Sequence, residues 1–307
     1  SCVESIFNQS YRDKEIIIID NASCDQTQFM LKEKFPAIIY CHNQHNRGAA
    51  FARNQGIARS RGKYVWFLDS DSLAENKYCL SAMVEILEHN ADIGSIGGEL
   101  CQTASWGELF LVKYLTKGGY SIARYIKSEE AILKDCDYCA TCNLFMRRDD
   151  IIRLGGFDPT YFYLAEDADI GYRIKGMGKR NVCDQRTAVF HDVALDTRRS
   201  LFLRLRNQMR FIIKNFSLLS IIMLPFSTVC FIFSSQVIRR LKIKDPSVFK
   251  YMPSKEMKRE VIALFIVKLV ICSIGALLWN IIFLPQTLRV RLTKRNYIAD
   301  AAKFSCS

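Results

Sequence analysis

The run Lys63–Leu73, KYVWFLDSDSL, limits the possible folds more than any other stretch of this chain. Tyr64–Leu68 is apolar and rich in aromatic residues. Such a run suits a strand buried on both faces, as in the parallel sheet of an α/β protein. Asp69, Ser70 and Asp71 follow at once. In extended chain, residues two apart point the same way, so the two carboxylates converge on one cation. Hard oxygen ligands at the carboxyl end of a buried strand suit Mg²⁺ or Mn²⁺ carrying a diphosphate. The same residues also fit a strand followed by a plain acidic turn.

Around this run, helix-like and strand-like segments alternate. Residues 1–10 fit a helix with Val3, Ile6 and Phe7 on one side. Glu15–Asp20 is a second buried strand ending in a carboxylate, and Asn21–Asp25 is a turn rich in capping residues that opens a helix to about Lys34. Ala37–Cys41 fits a third strand, and Asn46-Arg47-Gly48 a turn into the helix AAFARNQGIARS. A helix over Glu75–His89 and a strand at Ile93–Gly97 continue the series. Repeated βα units predict a mainly parallel sheet with ligands outside the carboxyl ends of its strands. A nucleotide-binding α/β domain ordinarily opens with a strand. This chain opens with a helix and has no initiator Met, so we expect a first strand to be missing.

Farther on, Trp106–Tyr120 is aromatic and contains Gly118-Gly119; it fits either a packed helix and loop or a mobile acceptor-side segment. Gly155-Gly156-Phe157-Asp158-Pro159 is a turn. Glu166-Asp167-Ala168-Asp169 then opens a helix through Lys175, where three carboxylates serve either a helix N-terminus or chemistry. His42, His45 and His89 fit surface or loop positions, whereas His191 ends a strand at Thr187–Phe190. The twelve cysteines are scattered through apparent strands and helices, which points to a reducing compartment and not a disulfide framework. Of the nearest three, Cys136, Cys139 and Cys142, a strand over Tyr138–Met146 would turn Cys139 away from the other two.

Four blocks together carry a resemblance: Glu15–Thr27 (EIIIIDNASCDQT), Asn46–Ile57 (NRGAAFARNQGI), Tyr64–Asp71 (YVWFLDSD) and Gly155–Arg173 (GGFDPTYFYLAEDADIGYR). In this order and spacing the chain resembles a family 2 glycosyltransferase of the GT-A fold, over about residues 1–195. The resemblance implies an α/β, Rossmann-like catalytic domain that takes a sugar from a nucleotide-diphosphate donor and inverts its anomeric configuration. By resemblance, Asp20 and Arg53 hold the base and ribose, and Asn46 belongs to the same nucleotide-sugar site. Asp69 and Asp71 hold the diphosphate through Mg²⁺ or Mn²⁺. Asp167 is the catalytic base with Glu166 beside it. His191 stands where family members often carry a histidine and is a candidate third metal ligand; a plain hydrogen-bonding role fits it too. A carboxylate suits the chemistry, because an acceptor hydroxyl is a poor nucleophile without a positioned base.

Charge divides the chain at about residue 197. Residues 1–197 hold 23 Lys+Arg and 27 Asp+Glu, net −4; residues 198–307 hold 20 and 4, net +16. Residues 198–214, RRSLFLRLRNQMRFIIK, form an amphipathic helix with Phe202, Leu205, Met209, Ile212 and Ile213 on one face and Arg199, Arg206, Arg210 and Lys214 on another, with Leu203 and Phe211 as exceptions. It fits a headgroup layer, or a helix docked on the catalytic domain with its charges solvated. Segments like Arg206-Asn207 to Asn215-Phe216 also follow the catalytic domain in rhamnosyltransferase-like members of the family. Asn215–Ile238 is uncharged and Val261–Leu288 carries only Lys268, so each is long enough to cross a bilayer or to form a re-entrant hairpin. We therefore expect a catalytic domain (1–197) and a basic, apolar, membrane-associating region (198–307), with the catalytic domain in the cytoplasm against an anionic membrane surface. The acceptor would be a glycan or a polyprenyl-linked glycan. A nucleic-acid binder is disfavoured, because its basic residues would mix with polar ones, not with long apolar runs. The competing reading is a catalytically silent, membrane-bound scaffold of the same fold.

Overall fold

The computed structural model describes residues 1–103, 107–191, 199–224, 259–293 and 296–303. Its first part follows the predicted alternation: α1 (Cys2–Phe7), β1 (Ile17–Asp20), α2 (Thr27–Lys34), β2 (Ile39–His42), α3 (Ala49–Arg59), β3 (Tyr64–Leu68), β4 (Ser72–Ala74), α4 (Cys79–His89) and β5 (Ile93–Gly97). Helix α4 begins four residues later than expected, because the Glu75 N–H bonds the Ala188 carbonyl instead of entering a helix. Then come β6 (Glu99–Thr103), β7 (Gly107–Leu115), β8 (Ser121–Lys127), β9 (Lys134–Cys136), β10 (Asn143–Arg147), α5 (Arg148–Arg153), α6 (Glu166–Gly176), β11 (Arg180–Cys183) and β12 (Val189–His191).

The sheets are mixed, which corrects the expectation of a mainly parallel one. β1 and β2 pair in parallel; a five-stranded sheet has the order β3-β10-β5-β11-β9, and another β4-β12-β6-β7-β8. In the first of these, β10 enters between β3 and β5 and is antiparallel to both. Parallel neighbours need a crossover of a dozen or more residues, usually a helix. Between Glu99 and Arg147 the described residues contain no α-helix, so the alternation seen before β5 cannot continue. In the segment to Tyr120, the helix of the packed helix-and-loop reading is replaced by β7, which forms an antiparallel hairpin with β8 closed at Leu115 and Ser121; Trp106 lies outside the described residues. Likewise Tyr138–Met146 is a strand only from Asn143 onward, and residues 137–142 form a loop.

Two glycines join the sequence blocks. Gly48 has φ +86°, and a Cβ there would lie 2.5 Å from the Phe162 carbonyl oxygen; the next residue, Ala49, donates its N–H to that oxygen. Gly156 has φ +82°, and a Cβ would stand 2.5 Å from Asn54 Oδ1. Asn54 is fully buried and exchanges two 2.8 Å hydrogen bonds with the Phe157 backbone. The Phe157 ring packs edge-on against Phe67 of β3 at 5.2 Å. The Gly155–Asp158 turn is thereby locked onto both α3 and β3.

The C-terminal part contributes α7 (Arg199–Asn215), α8 (Leu218–Ile222), α9 (Arg259–Ile282), α10 (Leu284–Leu292) and α11 (Tyr297–Ala302). Of the placements left open for the amphipathic helix, α7 is docked. Its apolar face packs Leu205, Met209, Ile212 and Ile213 against Ala276 of α9 and Tyr120 at the hairpin end. Two of its charges, Arg210 and Lys214, are buried, while Arg204 is exposed. Lys214 Nζ lies 3.0 Å from Asp158 Oδ2 and 2.9 Å from Asp169 Oδ1, and Arg210 is fully buried, donating to Thr287 of α10. Phe211, an exception on the helical wheel, packs against Tyr172 of α6. Helix α11 returns to the body, where the Tyr297 N–H bonds the Gly155 carbonyl. The boundary expected at residue 197 thus separates segments joined by buried ion pairs.

Burial alone would raise the Asp158 and Asp169 carboxyls, but Lys214, helped by Arg210 at Asp158 and by Arg173 at Asp169, outweighs it: Asp158 is lowered and Asp169 is held far below the usual carboxylate range. A carboxylate with a lowered folded pKa stabilises above its unfolded pKa, and that contribution is lost as pH falls below it. The Tm of the protein should therefore fall steeply below about pH 4. In Lys214→Met the acid limb should flatten; an unchanged limb would remove this cluster as its source.

Among the described residues, no single helix is long and apolar enough to cross a membrane; the pair Ile271–Ile282 and Leu284–Leu292, bent by 60°, passes on length and composition together. Most of the expected uncharged span, from residue 225 on, lies outside the described residues.

Candidate active site

Strand β3 delivers Asp69 and Asp71 to its carboxyl end, and β12, paired antiparallel to β4, brings His191 opposite Ser72. The ligand atoms of Asp69, Asp71 and His191 all lie within 4.8 Å of one another. His191 Nε2 is 3.4 Å from Asp71 and 3.9 Å from Asp69. Its other nitrogen, Nδ1, is 2.9 Å from Glu99, and Glu99 is ion-paired with Lys113 at 2.8 Å. A carboxylate on Nδ1 favours the tautomer with Nε2 as a lone-pair donor. Two carboxylate oxygens and an imidazole fit a divalent cation of the Mg²⁺ or Mn²⁺ kind. The hydrogen bond to Glu99 raises the His191 pKa against the effect of burial. Glu99 itself is buried, yet Lys113 and His191 hold its carboxyl far below the usual range. Glu99 and Lys113 carry no motif and were not expected from the sequence; only sheet pairing places them behind His191.

Arg53, on α3, donates to Asp69 at 2.7 Å and to Glu166 at 2.9 Å. The resemblance assigns it to the base and ribose; in this structure its guanidinium bridges the end of β3 to the start of α6. Asp20 and Asn46 form a second group. Asp20 accepts from Tyr40 Oη at 2.5 Å and from the Ser23 N–H at 2.8 Å, and it faces His42 Nδ1 at 3.2 Å. His42 therefore has a site-side partner that its loop-like sequence context did not show. Asn21 links the two segments: its amide donates to Asn46 Oδ1 at 2.9 Å and its oxygen accepts from the Arg47 N–H at 3.0 Å.

The approach to α6 is strained. Phe162, Leu164 and Ala165 all have positive φ, a conformation costly for residues with a side chain. The buried side chain of Asn207 on α7 holds this loop by donating to the carbonyls of Tyr161, Tyr163 and Leu164 at 2.7–2.9 Å. The three acids that follow are not equivalent. Glu166 is buried against Arg53, and Asp169 is held by Lys214, Arg173 and Asn215. Asp167 accepts the Ala168 N–H at 2.8 Å and has no ion-pair partner among the described residues. Burial raises its carboxyl above the ordinary value, opposed by the charge of Lys113. Burial pushes Glu166 up to about 7, opposed by Arg53 and assisted by Asp167.

The family model for "Glycosyl transferase family 2" matches residues 1–155, half of the chain. The chain belongs to glycosyltransferase family 2. The chain is similar to glycosyltransferase GlyA of Streptococcus pneumoniae, 35% identical over 94 residues (30% of this chain, 14% of that protein), and to the UDP-Glc:α-D-GlcNAc-diphosphoundecaprenol β-1,3-glucosyltransferase WfaP of Escherichia coli, 44% identical over 70 residues (22% and 28%). The matched part of this family 2 chain spans about a third or less of the length of the curated relatives it resembles. A mannosyltransferase of Pyrobaculum calidifontis, solved with GDP-Man and Mn²⁺, shares its fold with a TM-score of 0.51 at 16% identity, over 98% of this chain and 81% of that one. The mixed sheet described above is thus a GT-A architecture.

Proposed function

We propose that this family 2 glycosyltransferase transfers a sugar, with inversion, from a nucleotide-diphosphate donor to a glycan or polyprenyl-linked glycan. Asp167 is the base that accepts the proton of the acceptor hydroxyl as the oxygen attacks the anomeric carbon. Asp69, Asp71 and His191 hold the divalent cation, whose contribution is to neutralise charge on the departing diphosphate. The Asp20–Asn46 group holds the nucleoside end. The observation that carries this reading is Arg53: one guanidinium joins Asp69 of the cation site to Glu166, next to the base, so the donor-binding and proton-accepting elements are a single connected unit. WfaP acts, by its name, on a lipid-linked acceptor, and the exposed apolar side chains of α8 and α9 support a matching membrane contact here. Leu218, Leu219 and Ile222 on α8 and Ile271, Leu278 and Ile282 on α9 are all more than half exposed.

The deciding experiment is a screen of nucleotide sugars that measures release of the nucleoside diphosphate with lipid-linked acceptors. No release with any donor, despite nucleotide binding, would favour the silent-scaffold reading.

Two substitutions address the cation site. Asp71→Ala should abolish Mn²⁺-dependent binding of UDP or GDP by calorimetry, since it removes one of two carboxylates from a three-ligand set. Retained affinity would take Asp71 out of the site. Glu99→Gln should weaken metal affinity by roughly 10–100-fold, the usual effect of losing a ligand's orienting partner, with little change in nucleotide affinity at saturating metal. An unaltered metal dependence would make Glu99 a partner of Lys113 alone.

A further inference from the structure

We propose that Cys136, Cys139 and Cys183 form a thiolate site for a zinc ion, separate from the carboxylate and imidazole centre. In the antiparallel pair of β9 and β11, Cys136 lies opposite Asn181. Residues directly opposite share a face and residues two apart return to it, so Cys183 joins Cys136 on one side of the sheet. Cys139 sits in the loop 137–142, which folds back over these strands; its Sγ is 3.8 Å from that of Cys136, and the three Sγ atoms all lie within 4.8 Å of one another. Two sulfurs bound to one zinc at about 2.3 Å with a tetrahedral angle stand about 3.8 Å apart. A disulfide would need about 2.05 Å, and all three cysteines are free thiols.

The backbone makes room for this convergence. A Cβ at Gly97 would stand 2.9 Å from Cys139 Cβ and 2.1 Å from the Asn143 carbonyl oxygen, so glycine is required for Cys139 to enter. All three side chains are buried. Buried cysteines often serve only as small apolar residues, but that role does not need three sulfurs aimed at one point. An all-sulfur set excludes Mg²⁺ and Mn²⁺, which take oxygen ligands. Three thiolates and Zn²⁺ leave one net negative charge, whereas a monovalent ion would leave two, at greater cost in a core. Binding releases protons from the thiols that it ionises. The loop so pinned ends at Cys142, whose carbonyl accepts from Ser72 Oγ at 3.0 Å, directly after Asp71. Zinc would therefore brace the segment that carries the catalytic-metal ligands.

The test uses the full chain in reducing buffer, with zinc alone and then cobalt as probes. One zinc per chain should survive gel filtration, its uptake should release protons, and cobalt should give thiolate charge-transfer absorption. C139S and C183S should each weaken retention by at least ~10-fold, while H191A and C24S should not. Should the serine variants fail to fold, the cobalt spectrum and proton release of the wild type decide alone. Absence of retained zinc and of the cobalt band, or a band that survives C183S, would overturn the proposal.

Discussion

Asp167→Asn is expected to leave donor binding nearly intact and to lower turnover by roughly 10²–10⁴-fold, the usual contribution of a positioned general base. The substitution is close to isosteric, and Asn Oδ1 can still accept the Ala168 N–H, so the first turn of α6 should keep its geometry. What it loses is the ability to take a proton. The other two acids of the cluster are held by cations. Glu166 is buried on Arg53, and Asp169 faces Lys214 and Arg173 on the far side of the helix start. Because burial raises the Asp167 carboxyl, the acid limb of the turnover profile should lie above the ordinary carboxylate value of 3.8. Steady-state kinetics with a saturating donor would measure both effects. Turnover close to wild type would leave Asp167 a helix-end residue without chemistry.

Removing residues 198–307 is expected to destroy the fold of what remains, and not to release a soluble nucleotide-binding domain. Truncation leaves Asp158 and Asp169 buried without Lys214. Breaking a buried ion pair by removing one partner costs about 3–5 kcal/mol. It also strips Phe211 from Tyr172, worth about 2 kcal/mol of apolar burial, and Asn207 from three carbonyls of a strained loop. The total rivals the about 5–15 kcal/mol that keeps a typical domain folded. In the full chain, Lys214→Met should lower Tm by about 10 °C. Adding Asp169→Asn should recover part of that loss, because one uncompensated charge is gone. Circular dichroism and calorimetric binding of nucleotide to the truncated chain provide the check. A folded, nucleotide-binding fragment would show that α7 is an accessory and that the boundary at residue 197 separates independent parts.

Single-residue exchanges on α7 probe the same link from the functional side. Asn207 does not touch the cation site, yet it supports the loop whose left-handed residues aim α6. Its position on the tail explains why residues so basic in composition can matter to the chemistry of an acidic body.

Much of this was legible in the sequence because it is local. The apolar run Tyr64–Leu68 became a strand of those same residues, since five apolar residues with a carboxylate at the end have few other solutions. The helix over Ala49–Arg59 and the start of α6 at Glu166 follow from turn chemistry a few residues long. Grouping Asp69, Asp71 and His191 needed the resemblance, but the carboxylate pair needed only the period of a strand. What the tertiary structure alone decided are the partnerships between distant residues. The direction of β10 depends on the absence of a crossover helix, which no local pattern announces. Glu99 and Lys113 stand behind His191 because β12 and β6 pair in parallel while β6 and β7 pair antiparallel. The charges of α7 looked like a solvated face, since a helical wheel shows spacing but not what waits opposite. Buried carboxylates 45 to 56 residues earlier in the chain turned Lys214 of that face inward. Ionic attraction at short range depends on the partner's position in space, and sequence separation carries no information about it.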